Sequence, residues 1–244
     1  MGSKERLYAD IMAVHPEVTG SCNLVIVKQP DNTTVKFIVD CGLFQERKYS
    51  KNNESLPFIP ANIDFCLVTH NHVDHVGRLP FLVSKGFDKE IFISETTSKL
   101  LPLALEDSHK VLRDVAKRQN RPCLYTESDV AQTMKLIRPC KYNQTVQIRP
   151  NIKATFFQNG HLMGATSILV QIGYPGYENI NLFFTGDYNN KNMFFDVPPL
   201  PEWVLDLPLT LIQESTYGDM NSSEIEKCFK ENILKCLEKG GTVV

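Results

Sequence analysis

Residues Leu67–Pro80 read LVTHNHVDHVGRLP, and the six positions from His70 to His75 hold three of the chain's six histidines together with an aspartate. The run in front of them, DFCLVT, is continuously apolar, as expected of a strand buried on both faces. In an extended segment His70 and His72, two apart, point to one side. Asp74 and His75 follow where a helix is expected to start and run through GRLPFLVSKG. Pro80 lies inside that helix, so its first turn should be irregular. One histidine in a polar loop needs no special account. Imidazoles and a carboxylate converging on the C-terminal end of a buried strand are ligands suited to zinc or a similar divalent ion.

One ion needs about four ligands, so others must come from elsewhere in the chain. His70 and His72 can both reach one ion, while Asp74 and His75 point elsewhere and can serve a second. Two later segments offer partners. QNGHLMGATS carries His161 at the end of the strand IKATFFQ, and LFFTGDYNN carries Asp187 just after an apolar strand. Alone, His161 is an ordinary loop histidine and Asp187 a turn former. Their shared setting at strand ends makes them candidates to complete the site. Asp40 in FIVDCG sits at a similar strand end. It is either a turn residue before Gly42 or a carboxylate that orients a metal-binding imidazole. His15 and His109 lack such a context and read as surface or packing residues.

The remaining pattern is that of a mixed α/β chain. LYADIMAV, CNLVIVKQ, TVKFIVD and IFIS read as strands, with the turn cluster QPDNTT between the second and third. Residues 96–119 read as a long helix with Leu100, Leu103, Leu105, Val111, Leu112 and Val115 forming an approximate apolar stripe. TESDVAQTMKLIR opens with hydroxyls and acids, an N-terminal helix signature. TSILVQIG, INLFFTG and LTLIQES are further strands, and residues 223–239 read as an amphipathic helix. DVPPLPEWVLDLP looks like a surface connection. EKGGTVV reads as a strand cut short, so a longer parent protein is expected.

Composition narrows the class. The 244 residues carry a net charge of −2 and are 42% hydrophobic, enough for a sizeable core and without a global basic field. HKVLRDVAKRQNR, with Lys135, Arg138 and Lys141, reads either as a solvated helix face or as a phosphate-tracking surface. The seven scattered cysteines fit buried free thiols in a reducing compartment. No apolar run approaches the roughly 18 residues of a membrane span, and no secretory h-region is seen. A soluble cytoplasmic protein with no membrane partner is expected.

The motifs VDCG, THNHVDH, NGHLMGA and FTGD, in that order, resemble the metallo-β-lactamase superfamily. The resemblance implies a four-layer αββα sandwich, incomplete here at the C-terminus, with a dinuclear metal site at one edge of the facing sheets. It implies that His70, His72 and His161 bind one ion, that Asp74 and His75 bind the other, and that Asp187 bridges them. Zinc is the expected metal, two ions in the full-length protein. EVTGSCNLV, HVGRLPFLV and QESTYGD narrow the likeness to the β-CASP branch, whose members cleave nucleic acids, and within it to RNA-processing ribonucleases. Glu214 matches that branch's first motif of its own, which opens an inserted cap. The expected organisation is a metallo-β-lactamase portion over residues 1–213 and the start of a cap over 214–244. The branch carries two more histidines beyond the cap, past Val244.

The expected activity is hydrolysis of RNA, single strands in particular, by a hydroxide activated between two metal ions. Asp187 and Asp74 would serve catalysis at the metals and Glu214 would orient a proton donor. This chain alone is expected to be poorly active. A small-molecule thioester or lactone hydrolase is the alternative within the superfamily, and ESTYG speaks against it. A non-catalytic scaffold subunit is a third reading, against which every ligand a chain of this length could hold is present. DNA-repair nucleases of the branch usually place Asp where Glu214 stands. A homodimer is left open.

Overall fold

Side-chain alternation decides which layer each strand faces. In Phe65–Val68 (β4), Phe65 and Leu67 pack into one apolar cluster while Cys66 and Val68 pack into another. The computed structural model, which describes residues 6–15, 18–216, 218, 231 and 233–240, shows what those clusters are. β4 belongs to a six-stranded sheet in the order β1-β2-β3-β4-β5-β6. Its other strands are β1 (Tyr8–Ala13), β2 (Asn23–Lys28), β3 (Thr34–Val39), β5 (Ile91–Ser94) and β6 (Ile137–Cys140). β1 to β3 are antiparallel and β3 to β6 parallel. A five-stranded sheet, β11-β10-β9-β8-β7, faces it. It is built from β7 (Thr145–Arg149), β8 (Ile152–Gln158), β9 (Thr166–Ile172), β10 (Ile180–Phe184) and β11 (Thr210–Ile212).

Between the sheets, Phe37, Phe65 and Leu67 meet Phe156, Ile168, Val170, Leu182 and Phe184 in a single core. Outside the first sheet, Ile38, Cys66, Val68, Ile91 and Ile93 pack on helices α1 (Val73–Val76), α2 (Leu79–Ser84), α3 (Glu95–Arg118) and α4 (Glu127–Leu136). Outside the second, Phe157, Leu169 and Phe183 pack on Val204 of the single-turn helix α5 (Glu202–Leu205). The expected αββα layering is present, and DFCLVT is buried on both faces because each face has a layer to meet.

Several elements differ from the sequence reading. The helix expected from Asp74 onwards is two helices, broken at Arg78 (φ −105°, ψ 8°), and Pro80 stands in the first turn of the second. There its missing N–H has no intrahelical partner to lose. The buried face of α3 keeps only part of the leucine–valine stripe: Leu105 is buried and Leu112 packs on the core, but Leu100, Leu103 and Val111 are exposed. It carries Thr97, Leu101, Leu105, Ser108, His109 and Ala116, while Leu103 is 71% and Val111 55% exposed. Small residues on that face let the helix approach closely, and the Thr97 and Ser94 hydroxyls both donate to the Gly164 carbonyl at 2.7 Å. β6 and β7 were not foreseen. Both are edge strands with polar positions, and β6 carries Pro139 where an edge tolerates it. The proline-rich connection is partly structural, since it holds α5 and buried Val204.

Contacts divide the chain into two units, Met1–Glu214 and Ser215–Val244. In the second, residues 233–238 are helical; the earlier part of the helix read over 223–239, and the strand read over 241–244, lie outside the described residues. The N-terminal helix signature at α4 is a capping box formed by Thr126 and Asp129. Six cysteines are free among the described residues, and Cys22, Cys41, Cys66 and Cys140 are buried. Among those residues no helix is long and apolar enough to cross a membrane.

Candidate metal centre

The C-terminal ends of β3, β4, β8 and β10 meet at one edge of the sandwich, and each releases a site residue within a few positions: Asp40, His70 and His72, His161, and Asp187. The two sheets are tied together there. Both the backbone N–H and the hydroxyl of Thr166 donate to the Thr69 carbonyl at 2.9 Å. Gly42 carries the tightest approach: a Cβ on it would stand 1.5 Å from the backbone oxygen of Asp74. The Asp40 turn and the histidine motif can lie side by side only because that residue has no side chain.

His70, His72, His161 and Asp187 each aim one ligand atom into a common space, all four atoms within 4.8 Å of one another. His161 Nε2 lies 3.0 Å from His72 Nδ1, and Asp187 Oδ2 lies 3.9 Å from His70 Nε2 and 3.7 Å from His161 Nε2. Donors about 2.0–2.2 Å from a tetrahedral ion stand roughly 3.3–3.6 Å apart, a value these separations bracket, so three imidazoles and a carboxylate here suit a divalent metal ion. The other oxygen of Asp187, Oδ1, lies 3.3 Å from His75 Nε2. The carboxylate therefore faces the three-histidine cluster with one oxygen and His75 with the other.

Buried hydrogen bonds fix the imidazoles. The Asp40 carboxylate, 2% exposed, accepts from the Thr69 N–H (2.8 Å), the Thr69 hydroxyl (2.7 Å) and His75 Nδ1 (2.9 Å). A carboxylate can only accept, so the Thr69 proton is committed to it. The Thr69 oxygen is then left to accept from His70 Nδ1 at 3.0 Å. This places the His70 proton on Nδ1 and leaves a bare lone pair on Nε2. That Nε2 is buried and has no hydrogen-bond partner among the described residues. A buried unpaired nitrogen is costly, and an ion held there removes the cost. The donor set thus fits a divalent metal on the chain's own geometry.

Electrostatics agree. Burial, and then the neighbouring imidazoles, hold the His70 ring well below the usual histidine range, so it is neutral and able to ligate. Burial and His161 also lower His72, opposed by the Asp74 carboxylate. Burial disfavours charge on His75, but Asp40 and Asp187 outweigh it and push the ring up to about 10. Burial raises Asp187, yet its hydrogen bond to His75 and the surrounding imidazoles bring it below the ordinary carboxylate value.

The other expected residues fall as follows. Asp74 is half-buried and outside the set of four; its backbone oxygen accepts from Ser21 N at 2.8 Å. Glu214 Oε1 accepts from the Tyr188 N–H at 2.8 Å, and its own N–H donates to Thr185 Oγ1 at 3.2 Å, so it braces the segment that carries Asp187. His15 and His109 are packing residues, the first against Phe44 and Tyr49, the second against Tyr125. In the basic stretch, Arg121 pairs with Glu54 at 2.7 Å and Arg113 with Asp114 at 3.9 Å.

Three supporting residues escaped the sequence reading. Thr69 relays Asp40 to His70. Buried Asn159 donates to the carbonyls of Thr185 (3.2 Å) and Asp187 (3.1 Å) and accepts from the His161 N–H (3.2 Å), so one amide clamps two ligand loops. Arg78 lies buried with its guanidinium on the carbonyls of Gly42, Asn52 and Ser55, holding the loop after β3. Each lies inside a motif already quoted (THNHVDH, NGHLMGA and HVGRLPFLV), but Thr, Asn and Arg carry no metal signature of their own.

Known proteins are similar to this chain in sequence and in fold. The chain is 31% identical over 235 residues to the ribonuclease TTHA0252 of Thermus thermophilus, covering 93% of this chain and 48% of that protein. It is 29% identical to the endoribonuclease ysh1 of Aspergillus fumigatus, over 93% of this chain and 25% of the relative. It is 30% identical to the transcription termination factor FttA of Methanosarcina mazei, over 93% and 35%. The chain therefore spans about half or less of the length of these relatives. These relatives bear out the resemblance to RNA-processing nucleases of the β-CASP branch. In fold alone it resembles the Rm3 metallo-β-lactamase, with a TM-score of 0.51 at 17% identity over 94% of this chain and 84% of that one. The description "metallo-beta-lactamase superfamily domain" matches residues 29–192, from the turn before β3 to the loop beyond Asp187. With the ligand-bearing strand ends inside that span, the chain belongs to the metallo-β-lactamase superfamily.

Proposed function

We propose that this chain is the metal-binding part of a hydrolase that cleaves RNA phosphodiester bonds in single strands. The observation that carries the proposal is the divided carboxylate of Asp187, one oxygen toward three imidazoles and the other toward His75. A pair of divalent ions, zinc by donor chemistry, would supply Lewis acidity and an acidified water when bound. His70, His72 and His161 would hold one ion, and Asp74 and His75 the other, with Asp187 shared. Asp187 is the group that accepts a hydrogen bond from the attacking water and orients it toward phosphorus. Asp40 and Thr69 keep the His70 and His75 lone pairs directed inward. Glu214 is a positioning residue, acting through the Tyr188 backbone.

The sequence relatives named ribonucleases support RNA over a thioester or lactone. The reading includes a catalytic portion over residues 1–213, a cap beginning at 214 and a cytoplasmic setting consistent with the buried thiols, and it leaves a homodimer open. The test is cleavage of a labelled single-stranded RNA by the chain and by a form extended to the length of its relatives, each beside Asp187→Ala. Asp187-dependent cleavage by the extended form and weak or no cleavage by the chain is the expected result. Hydrolysis of a thioester with RNA left intact would overturn the proposal in favour of a small-molecule hydrolase.

A further inference from the structure

Beside the metal centre, the segment that follows Asp187 folds into a loop with an unusual surface. Met193 is 90% and Phe194 86% exposed, two adjacent apolar side chains almost wholly in water. The loop is nevertheless firmly registered. Gly160 N–H donates to the Asn189 carbonyl and Asn192 Nδ2 donates to the Gly160 carbonyl, each at 2.9 Å. Asn189 and Asn192 side-chain oxygens accept from the Lys191 and Phe194 N–H groups at 3.3 and 2.9 Å. A Cβ on Gly160 would stand 2.3 Å from the Asn189 oxygen, so the contact exists because that residue is glycine. Gly160 adjoins His161. The loop is thereby fixed against one candidate ligand and continuous with another.

A recess of about 460 Å³ lies there, lined by His161, Asn189, Lys191, Asn192, Met193 and Phe194. Among the described residues Lys191 has no ion-pair partner and Phe194 no ring contact. From this juxtaposition we infer that the 188–194 loop is a nucleotide platform: Phe194 stacks on a base of the strand flanking the scissile phosphate, and Lys191 meets a neighbouring phosphate. The inference rests on the RNA reading above and names the part of the site that grips the strand. A π-face and a cation side by side match the two faces of a nucleotide, and stacking on an aromatic ring is indifferent to which base is presented. His161 lining both the recess and the metal cluster makes the two sites one continuous track. An apolar protein segment would use Met193 and Phe194 but would leave the lysine unmatched.

The test is binding by fluorescence anisotropy to metal-free protein, where no cleavage competes. The probe is a labelled single-stranded oligoadenylate of about eight nucleotides, with an abasic analogue of the same length as control. Phe194→Ala should weaken binding of the base-bearing probe roughly 5- to 150-fold, leave the salt dependence unchanged and have little effect on the abasic probe. Phe194→Trp should restore affinity. Lys191→Gln should weaken both probes and reduce the slope of log affinity against log salt by about 0.7, one single-strand phosphate contact. Both side chains are exposed, so melting temperatures should match wild type. Wild-type affinity in Phe194→Ala, or an equal loss on the abasic probe, would overturn the inference while leaving RNA cleavage to stand or fall by its own assay. A changed oligomeric state with unchanged RNA affinity would assign the loop to a protein contact instead. Phe194-dependent binding without cleavage by the extended form would retain the platform and sink the nuclease reading.

Discussion

Asp40→Asn tests the metal centre most directly, because it alters no proposed ligand. Asp40 lies at φ 64°, a left-handed conformation that asparagine also adopts, so the backbone should survive. The amide oxygen can still accept from the Thr69 N–H. The amide nitrogen, however, replaces the oxygen that accepts from the Thr69 hydroxyl and from His75 Nδ1, at 2.7 and 2.9 Å. An N–H cannot face an N–H, so a neutral His75, the form that ligates, must carry its one proton on Nε2, the atom 3.3 Å from Asp187. The Thr69 hydroxyl, now receiving from the amide, must turn its proton toward His70 Nδ1, 3.0 Å away. That forces the His70 proton onto Nε2 as well. One isosteric substitution thus hides two lone pairs. Loss of one such outer hydrogen bond typically costs about 10- to 100-fold in metal affinity. Two imidazoles affected together should cost at least that, and up to about 10⁴-fold if their effects multiply. Competition for zinc against a chromophoric chelator gives the affinity, and circular dichroism confirms the fold. Zinc affinity within about threefold of wild type in folded Asp40→Asn would refute the tautomer reasoning.

Three further outcomes are expected. Zinc titration of the metal-free chain should show two unequal steps, the tighter lost in His70→Ala with His72→Ala and the weaker in His75→Ala, since the first cluster brings four donors together and the proposed second set, Asp74, His75 and Asp187, would offer three; a single step unaffected by either change counts against the assignment. Gly42→Ala should destabilise the protein by about 3 kcal/mol or more, because its methyl has nowhere to go but the Asp74 carbonyl; a wild-type urea midpoint would contradict the packing described. In the metal-free protein His75 is raised from 6.5 to about 10. Its stabilising contribution is therefore complete below about pH 6.5 and is lost as pH rises through about 10. Melting temperature should fall over that range and His75→Gln should flatten the decline, and a parallel decline in the variant would show that other groups cause it.

The sandwich was legible in the chain because its central strands have no polar alternative. DFCLVT, IKATFFQ and TSILVQIG each hold at least four consecutive buried residues, and such a run leaves little choice of layer. The edges were not legible. β6 exposes two of its four positions and β7 two of its five because one side of each meets solvent, so they lack the buried continuity that marks an inner strand. The α3 stripe misled for a related reason. Leu100, Leu103 and Val111 turn to solvent, while the buried face pairs Leu101 and Leu105 with the small residues Thr97, Ser108 and Ala116 that close packing selects. At the metal centre the residues with intrinsic affinity for an ion announced themselves by type and spacing. The residues that make them bind did not. Thr69 and Asn159 act through hydrogen bonds to groups on other strand ends, Asp40 for one and Thr185 and Asp187 for the other, a role that depends on which strand end lies opposite and not on local sequence. A sequence therefore discloses ligands before it discloses their tautomers, and the tautomers decide whether a nitrogen such as His70 Nε2 can hold a metal at all.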